Sequence, residues 1–142
     1  MKCSVFGALI ILAFAFVVST PMTQAQARTR ASVPFDFSLG QQSMPAGFYE
    51  ISSVNEKVLA VRNLETMEAR LLIASMHVEA SQAAGTPHAK LVFRKYDDQY
   101  FLAEIWDGQN PIGIAFPESK REKEMKWARD SHQSELMVIA MN

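Results

Sequence analysis

Past Cys3 the chain contains no cysteine. Residues 28–142 therefore have no disulfide, thiol nucleophile, redox pair or iron–sulfur ligation open to them, and their stability must come from packing. Charge is scarce in the net: the formal total is −1 over 142 residues. A near-neutral chain has no global field to attract nucleic acid. Motifs of catalysis are absent as well. There is no G-x-S-x-G elbow, no phosphate-binding glycine loop and no H-E-x-x-H. The length allows one domain.

The one long apolar run, "VFGALIILAFAFVV" from Val5 to Val18, follows Lys2 and precedes polar "STPMTQAQA". It is short of the roughly 20 apolar residues of a membrane span. A basic start, an apolar stretch of this length and an Ala25-Gln26-Ala27 ending describe a secretory signal peptide over 1–27, cut after Ala27. Cys3 lies before the apolar run, so it leaves with the signal and is not the acylated cysteine of a lipoprotein. Lys2 is the only charged residue removed, which leaves 28–142 as a single β-rich domain with a net charge of −2. The protein is expected to be exported to the periplasm or the extracellular space, with no stable membrane span after cleavage.

The remainder reads as strand almost throughout. In "SVPFDFSL" Val33, Phe35, Phe37 and Leu39 alternate with polar residues and Pro34, the period-two pattern of a half-buried strand, with Pro34 marking an edge or a strand start. "MPAG" is a turn, with Pro45 preset for its second position. Strands follow over Phe48 to Val54, Val58 to Asn63 and Ala69 to Glu79. Their close spacing predicts an antiparallel meander rather than βαβ units. "ASQAAGTPHA", Ala80 to Ala89, has small residues, Gly85 and Pro87 and no periodicity, and is the longest expected loop.

"LVFRKYDDQYFLAEIW", Leu91 to Trp106, is a hairpin. A three-residue loop over Asp97, Asp98 and Gln99 pairs Tyr96 with Tyr100. One face then carries Leu91, Phe93, Phe101, Ala103 and Ile105, with Lys95 near the turn. The other carries Val92, Arg94, Tyr96, Tyr100, Leu102, Glu104 and Trp106, with Arg94 and Glu104 as diagonal neighbours able to pair. The basic residues decorate a wet strand face; the glycine and aromatic positions of an RNA-recognition strand are missing.

A short strand, Ile112 to Phe116, precedes the one helix. Ser119-Lys120-Arg121-Glu122 is a capping box, Glu122 and Lys126 form a favourable i,i+4 pair, and the helix runs to about Arg129. It carries little apolar surface, chiefly Met125, Trp127 and Ala128, and is expected to dock somewhere, because so short a helix does not persist alone. The last strand, Leu136 to Met141, is apolar on both faces and is expected to be central or covered. The fold class is thus mainly β: a small barrel or sandwich of about eight short strands with one short helix near the C-terminus.

The runs "VPFDFSLGQQSMPAGFYEI", "KLVFRKYDDQYFLAEIW" and "FPESKREKEM" resemble three recurring blocks of a family of small exported proteins abundant in Acidobacteria. The resemblance covers most of residues 28–142. The chain departs from the family at Asp97, where glycine is more frequent, and at Phe116-Pro117-Glu118, where Leu-Pro-Lys is. The resemblance implies a β fold and export, and brings no activity, cofactor or site residue with it.

Candidate chemistry is thin. His77 and Glu79 share a strand face at i,i+2 and supply at most two metal ligands, while His88 and His132 lie in polar linkers; a solvated pair is the preferred reading. Asp97 and Asp98 at a turn tip are solvated turn residues rather than an acid–base pair. In the helix, Glu118, Glu122, Glu124 and Asp130 cancel most of the positive charge, so its polar face is a solvated one. No catalytic residue, cofactor or metal is expected. The favoured function is a non-enzymatic structural or protein-contact module of the cell envelope, with Arg94, Tyr96, Tyr100 and Trp106 as the partner-contact set on an outer sheet face. The alternative is a carrier of a small apolar ligand, with eight strands closed into a lipocalin-like barrel. The partner is an envelope protein in the first reading and a small ligand in the second; nucleic acid is a partner in neither.

Overall fold

The computed structural model describes residues 28–55, 57–74, 76–79, 88–109, 111–128 and 134–142. The signal segment expected over 1–27, most of the loop expected at 80–89, and His132 lie outside them. The elements in chain order are β1 (Arg28–Val33), β2 (Phe37–Leu39), β3 (Gln42–Met44), β4 (Gly47–Asn55), β5 (Val58–Asn63), β6 (Ala69–Ile73), β7 (Met76–Glu79), β8 (Lys90–Tyr96), β9 (Gln99–Trp106), β10 (Ile112–Ala115), α1 (Lys120–Ala128) and β11 (Glu135–Ala140).

They form two sheets, one ordered β1-β4-β5-β6 and the other β11-β8-β9-β10-β7, with the β2–β3 hairpin attached to β9 through β2. The chain is mainly β and sandwich-like, and the sheets do not close into a barrel. Eleven strands stand where about eight were expected, because two expected strands divide and β3 pairs with β2 in a tight hairpin turned at Gly40, whose φ of 60° suits glycine.

Both divisions are corners at which the chain passes from one sheet to the other, as strands do in sharply folded sandwiches. The alternation through Val33, Phe35, Phe37 and Leu39 keeps those side chains inward, but the strand breaks at Pro34, which has no N–H for a ladder. Asp36 Oδ1 accepts the Ala46 N–H at 2.7 Å and pins the corner. β2 then pairs with β9 in parallel, Phe37 opposite Tyr100, the one parallel pairing among the described residues. The second corner follows Ala74, whose N–H bonds to Lys57 O at 2.8 Å, and beyond it β7 joins β10.

The hairpin β8–β9 departs from the expected register. Its loop has two residues, Asp97 and Asp98, so that Tyr96 faces Gln99 and Lys95 faces Tyr100, and Asp97 takes the positive φ of 54° that such a tight turn imposes. A bulge at Ala103 then restores the expected pairing, with Leu91 opposite Ile105. Tyr100 and Leu102 therefore point into the sandwich and Phe101 points away from it, the reverse of the expected faces. Leu91, Phe93 and Ile105 keep their inward places.

The core lies between the sheets. Phe93 is wholly buried at its centre, edge-on to Phe35 and Phe37 at 5.2 and 5.3 Å, and Phe37 is edge-on to Tyr49 at 5.2 Å. Leu59, Val61, Ile51 and Val33 complete the packing from the four-stranded sheet. β11 is an edge strand, contrary to the expectation from its two apolar faces: Met137 and Ile139 pack on the core while Leu136 and Val138 are exposed. Its end is fastened by Asn142, which exchanges two backbone hydrogen bonds of 2.9 Å with Arg30 of β1 and so ties the edges of the two sheets together.

Phe93→Ala should lower the unfolding free energy by about 3–5 kcal/mol through loss of buried contacts and the cavity left behind. Leu136→Ala, at a position 63% exposed, should stay within about 0.5 kcal/mol. Urea midpoints measure both.

Candidate functional site

The face of β8 and β9 turned away from the core carries Val92, Arg94, Tyr96, Phe101 and Trp106. All but Arg94 are buried, and Arg94 is largely so. Arg94 reaches over this face to α1. Its guanidinium donates from Nε and Nη2 to the two Glu122 carboxylate oxygens, and from Nη2 to Phe116 O at 3.2 Å. The side chains of Arg94 and Glu122 are 18% and 1% exposed, so this is a buried, two-pronged ion pair. The expected Arg94–Glu104 pairing is replaced by it, while Glu104 keeps its expected place opposite Val92 and accepts the Trp106 indole N–H at 2.8 Å.

The helix starts as its sequence demands. Ser119 Oγ accepts the Glu122 N–H at 3.2 Å, and Glu122 Oε2 accepts the Ser119 N–H at 3.3 Å, a complete capping box. Glu122 thus serves the cap and Arg94 together. Lys126, expected to pair with Glu122, instead donates to Glu118 Oε1 at 2.8 Å. That hydrogen bond holds the Glu118 carboxyl below its ordinary range and raises Lys126 above its own. Burial, and then the Glu122 charge, push the Tyr96 hydroxyl up.

The four residues expected as a partner-contact set do not form one exposed surface. Arg94 anchors the helix. Tyr96 is buried edge-on to Phe101 at 5.9 Å. Tyr100 is half-buried on the core side, stacked on Phe35 with centroids 3.8 Å apart. Trp106 lies flat over Gly113 of β10, where a Cβ would come within 2.6 Å of the indole, and Lys90 Nζ sits 5.1 Å from the ring centroid on this same residue. His77 and Glu79 are exposed on β7, and among the described residues no three His, Cys, Asp or Glu side chains gather as a metal site requires.

The most exposed aromatic among the described residues is elsewhere. α1 docks through Glu122, its one buried residue, and Trp127 stands 83% exposed. With Glu118, Lys123 and Lys126 it lines a depression of about 410 Å³. The helix docks, as its shortness requires, through a charged anchor, and this frees the indole. The positions four and three residues before Trp127 hold charged Lys123 and Glu124 rather than apolar neighbours, and this was the available signal.

Arg94→Ala and Glu122→Ala should each cost about 3–5 kcal/mol, since either leaves a charge buried without its partner. The double variant should cost clearly less than the sum, as a denaturant double-mutant cycle will measure. The Glu118–Lys126 tie should hold between two limits. Glu118 titrates lower when folded than unfolded, so its contribution is full above the ordinary carboxylate pKa and fades as pH falls through the lowered value. Lys126 titrates higher when folded, so its contribution is full below the ordinary lysine pKa and is lost as pH rises through the raised one. Carboxyl NMR of Glu118 should move back toward the ordinary midpoint in Lys126→Ala.

No protein-family model, curated protein or solved structure matches the chain.

Proposed function

We propose that the protein is an exported, non-enzymatic β-domain of the cell envelope that works by protein contact, and that Trp127 with the depression beside it grips the partner. The observation that carries this reading is an indole 83% exposed on a helix whose first turn is locked to the sheet. Tryptophan is the residue most enriched at binding hot spots, and a rigid base lets it bind without ordering a loop. The lysines and the carboxylate around the depression supply the polar rim that such anchors need. The packed aromatic core between the sheets favours contact at the surface over carriage of an apolar ligand inside. Export rests on the residue pattern of 1–27, and it agrees with the resemblance to the Acidobacterial exported proteins.

A photo-crosslinking residue placed at position 127 should give a discrete protein adduct in the envelope, while one at exposed Arg121 gives little. Trp127→Ala should abolish competition for that adduct and leave the cooperative melt within about 0.5 kcal/mol of the parent. Saturable, one-to-one uptake of an apolar dye, unchanged by Trp127→Ala and reduced by Phe37→Ala, would replace this reading with the carrier.

A further inference from the structure

The outer face of the four-stranded sheet combines two chemistries. Tyr49 and Ile51 of β4 point into the core, so Phe48 and Glu50 point out. Register then sets Arg30 of β1 and Arg62 of β5 directly on either side of Glu50, with Arg28 one outward position along β1. Arg30 and Arg28 approach the Glu50 carboxylate at 3.4 and 3.9 Å, and Glu50 is only 8% exposed beneath them. Three guanidiniums against one carboxylate leave these strand positions at +2 in a chain whose formal net charge is −1. Glu68, in the turn at one end, is engaged by Arg70 at 3.5 Å.

The same face is apolar along its β6 side. Leu71 and Ile73 are 69% and 73% exposed, opposite Ala60 and Val58 of β5, and Phe48 is 56% exposed near the other end. Four strands at about 4.8 Å spacing make a flat surface on the order of 14 Å across. Cations and large apolar side chains in one plane fit the boundary between phosphate headgroups and acyl chains. A nucleic acid duplex offers phosphates but no apolar layer for Leu71 and Ile73. A second copy laid face to face would set guanidiniums against guanidiniums.

We propose that this face docks on an anionic membrane surface, with Arg28, Arg30 and Arg62 on lipid phosphates and Phe48, Leu71 and Ile73 in the upper acyl layer. The proposal extends the envelope reading but stands on the four-stranded sheet, whereas Trp127 belongs to α1, which is anchored to β8 of the other sheet, so Trp127→Ala leaves it untouched.

Co-sedimentation of the purified protein with vesicles tests it. Binding is expected to phosphatidylcholine mixed with phosphatidylglycerol and not to phosphatidylcholine alone, and it should fade as salt shortens the Debye length toward about 3 Å near 1 M. Arg62→Gln should weaken it about fivefold, the loss of one cation near an anionic surface. Leu71→Ser with Ile73→Ser should weaken it further, and Arg121→Gln on α1 should not. All variants keep the same N-terminal segment, so differences between them report on the sheet face. Equal binding by the parent and Arg62→Gln, equal binding to both vesicle types, or no binding would overturn the proposal. A concentration-dependent doubling of mass in light scattering, lost in Leu71→Ser, would assign the apolar side to a second copy and overturn it equally. Should the double serine variant fail to melt cooperatively, Arg62→Gln and the salt titration still decide.

Discussion

The rest of the structure depends on the ladder between β8 and β9. A two-residue loop fixes its register at one end and the bulge at Ala103 resets it in the middle. The result is a pair of strands with two apolar faces instead of one. Leu91, Phe93, Leu102 and Ile105 meet the four-stranded sheet, and Val92, Tyr96, Phe101 and Trp106 are buried on the reverse. Burial on both sides makes this hairpin the centre of the molecule, and each neighbour is placed by it: β11 on the β8 edge, β2 and β10 on successive halves of the β9 edge.

A strand pair buried on two faces needs two covers, and they differ in kind. The sandwich side is closed by aromatic and aliphatic packing, which is non-directional and scales with area. The reverse side is closed by a polar clamp. Arg94 joins Glu122 and the Phe116 carbonyl, while the N–H of Phe116 bonds to the carbonyl of bulged Ala103 at 2.8 Å. A bulge frees a backbone group from the ladder, and here that group holds the segment leading into α1. Because the helix is anchored by charge, its tryptophan is left in solvent.

The corners show the same economy of means. Pro34 ends β1 and the Asp36–Ala46 hydrogen bond fixes the bend, so one continuous alternating sequence serves both sheets. The edges are unequal. β1 is tied to Asn142, whereas among the described residues β6 pairs with β5 and carries Leu71 and Ile73 on its outward face. Exposed apolar groups beside a guanidinium row are costly to leave in water without purpose.

The sequence by itself determined the β class, the inward set Val33, Phe37, Leu39, Phe93 and Ile105, and the capped start of α1. Each of these follows from local periodicity or from hydrogen bonds within three or four residues. Tertiary structure decided what depends on a choice between nearly equal local options. A loop of two rather than three residues reverses the faces of Tyr100, Phe101 and Leu102, and one bulge returns the strand to its expected faces from Glu104 onward. The division of Ala69–Glu79 between two sheets depends on a partner strand, β10, more than thirty positions later in the chain. The candidate surfaces were legible only as residue types. Arg94 read as a surface residue because its partner Glu122 lies 28 residues away, and nothing local to Trp127 reveals that this buried ion pair docks the helix and leaves the indole in solvent. Guanidiniums and leucines share the outer sheet face through cross-strand register alone, a relation that pairing between distant segments creates and no single segment contains.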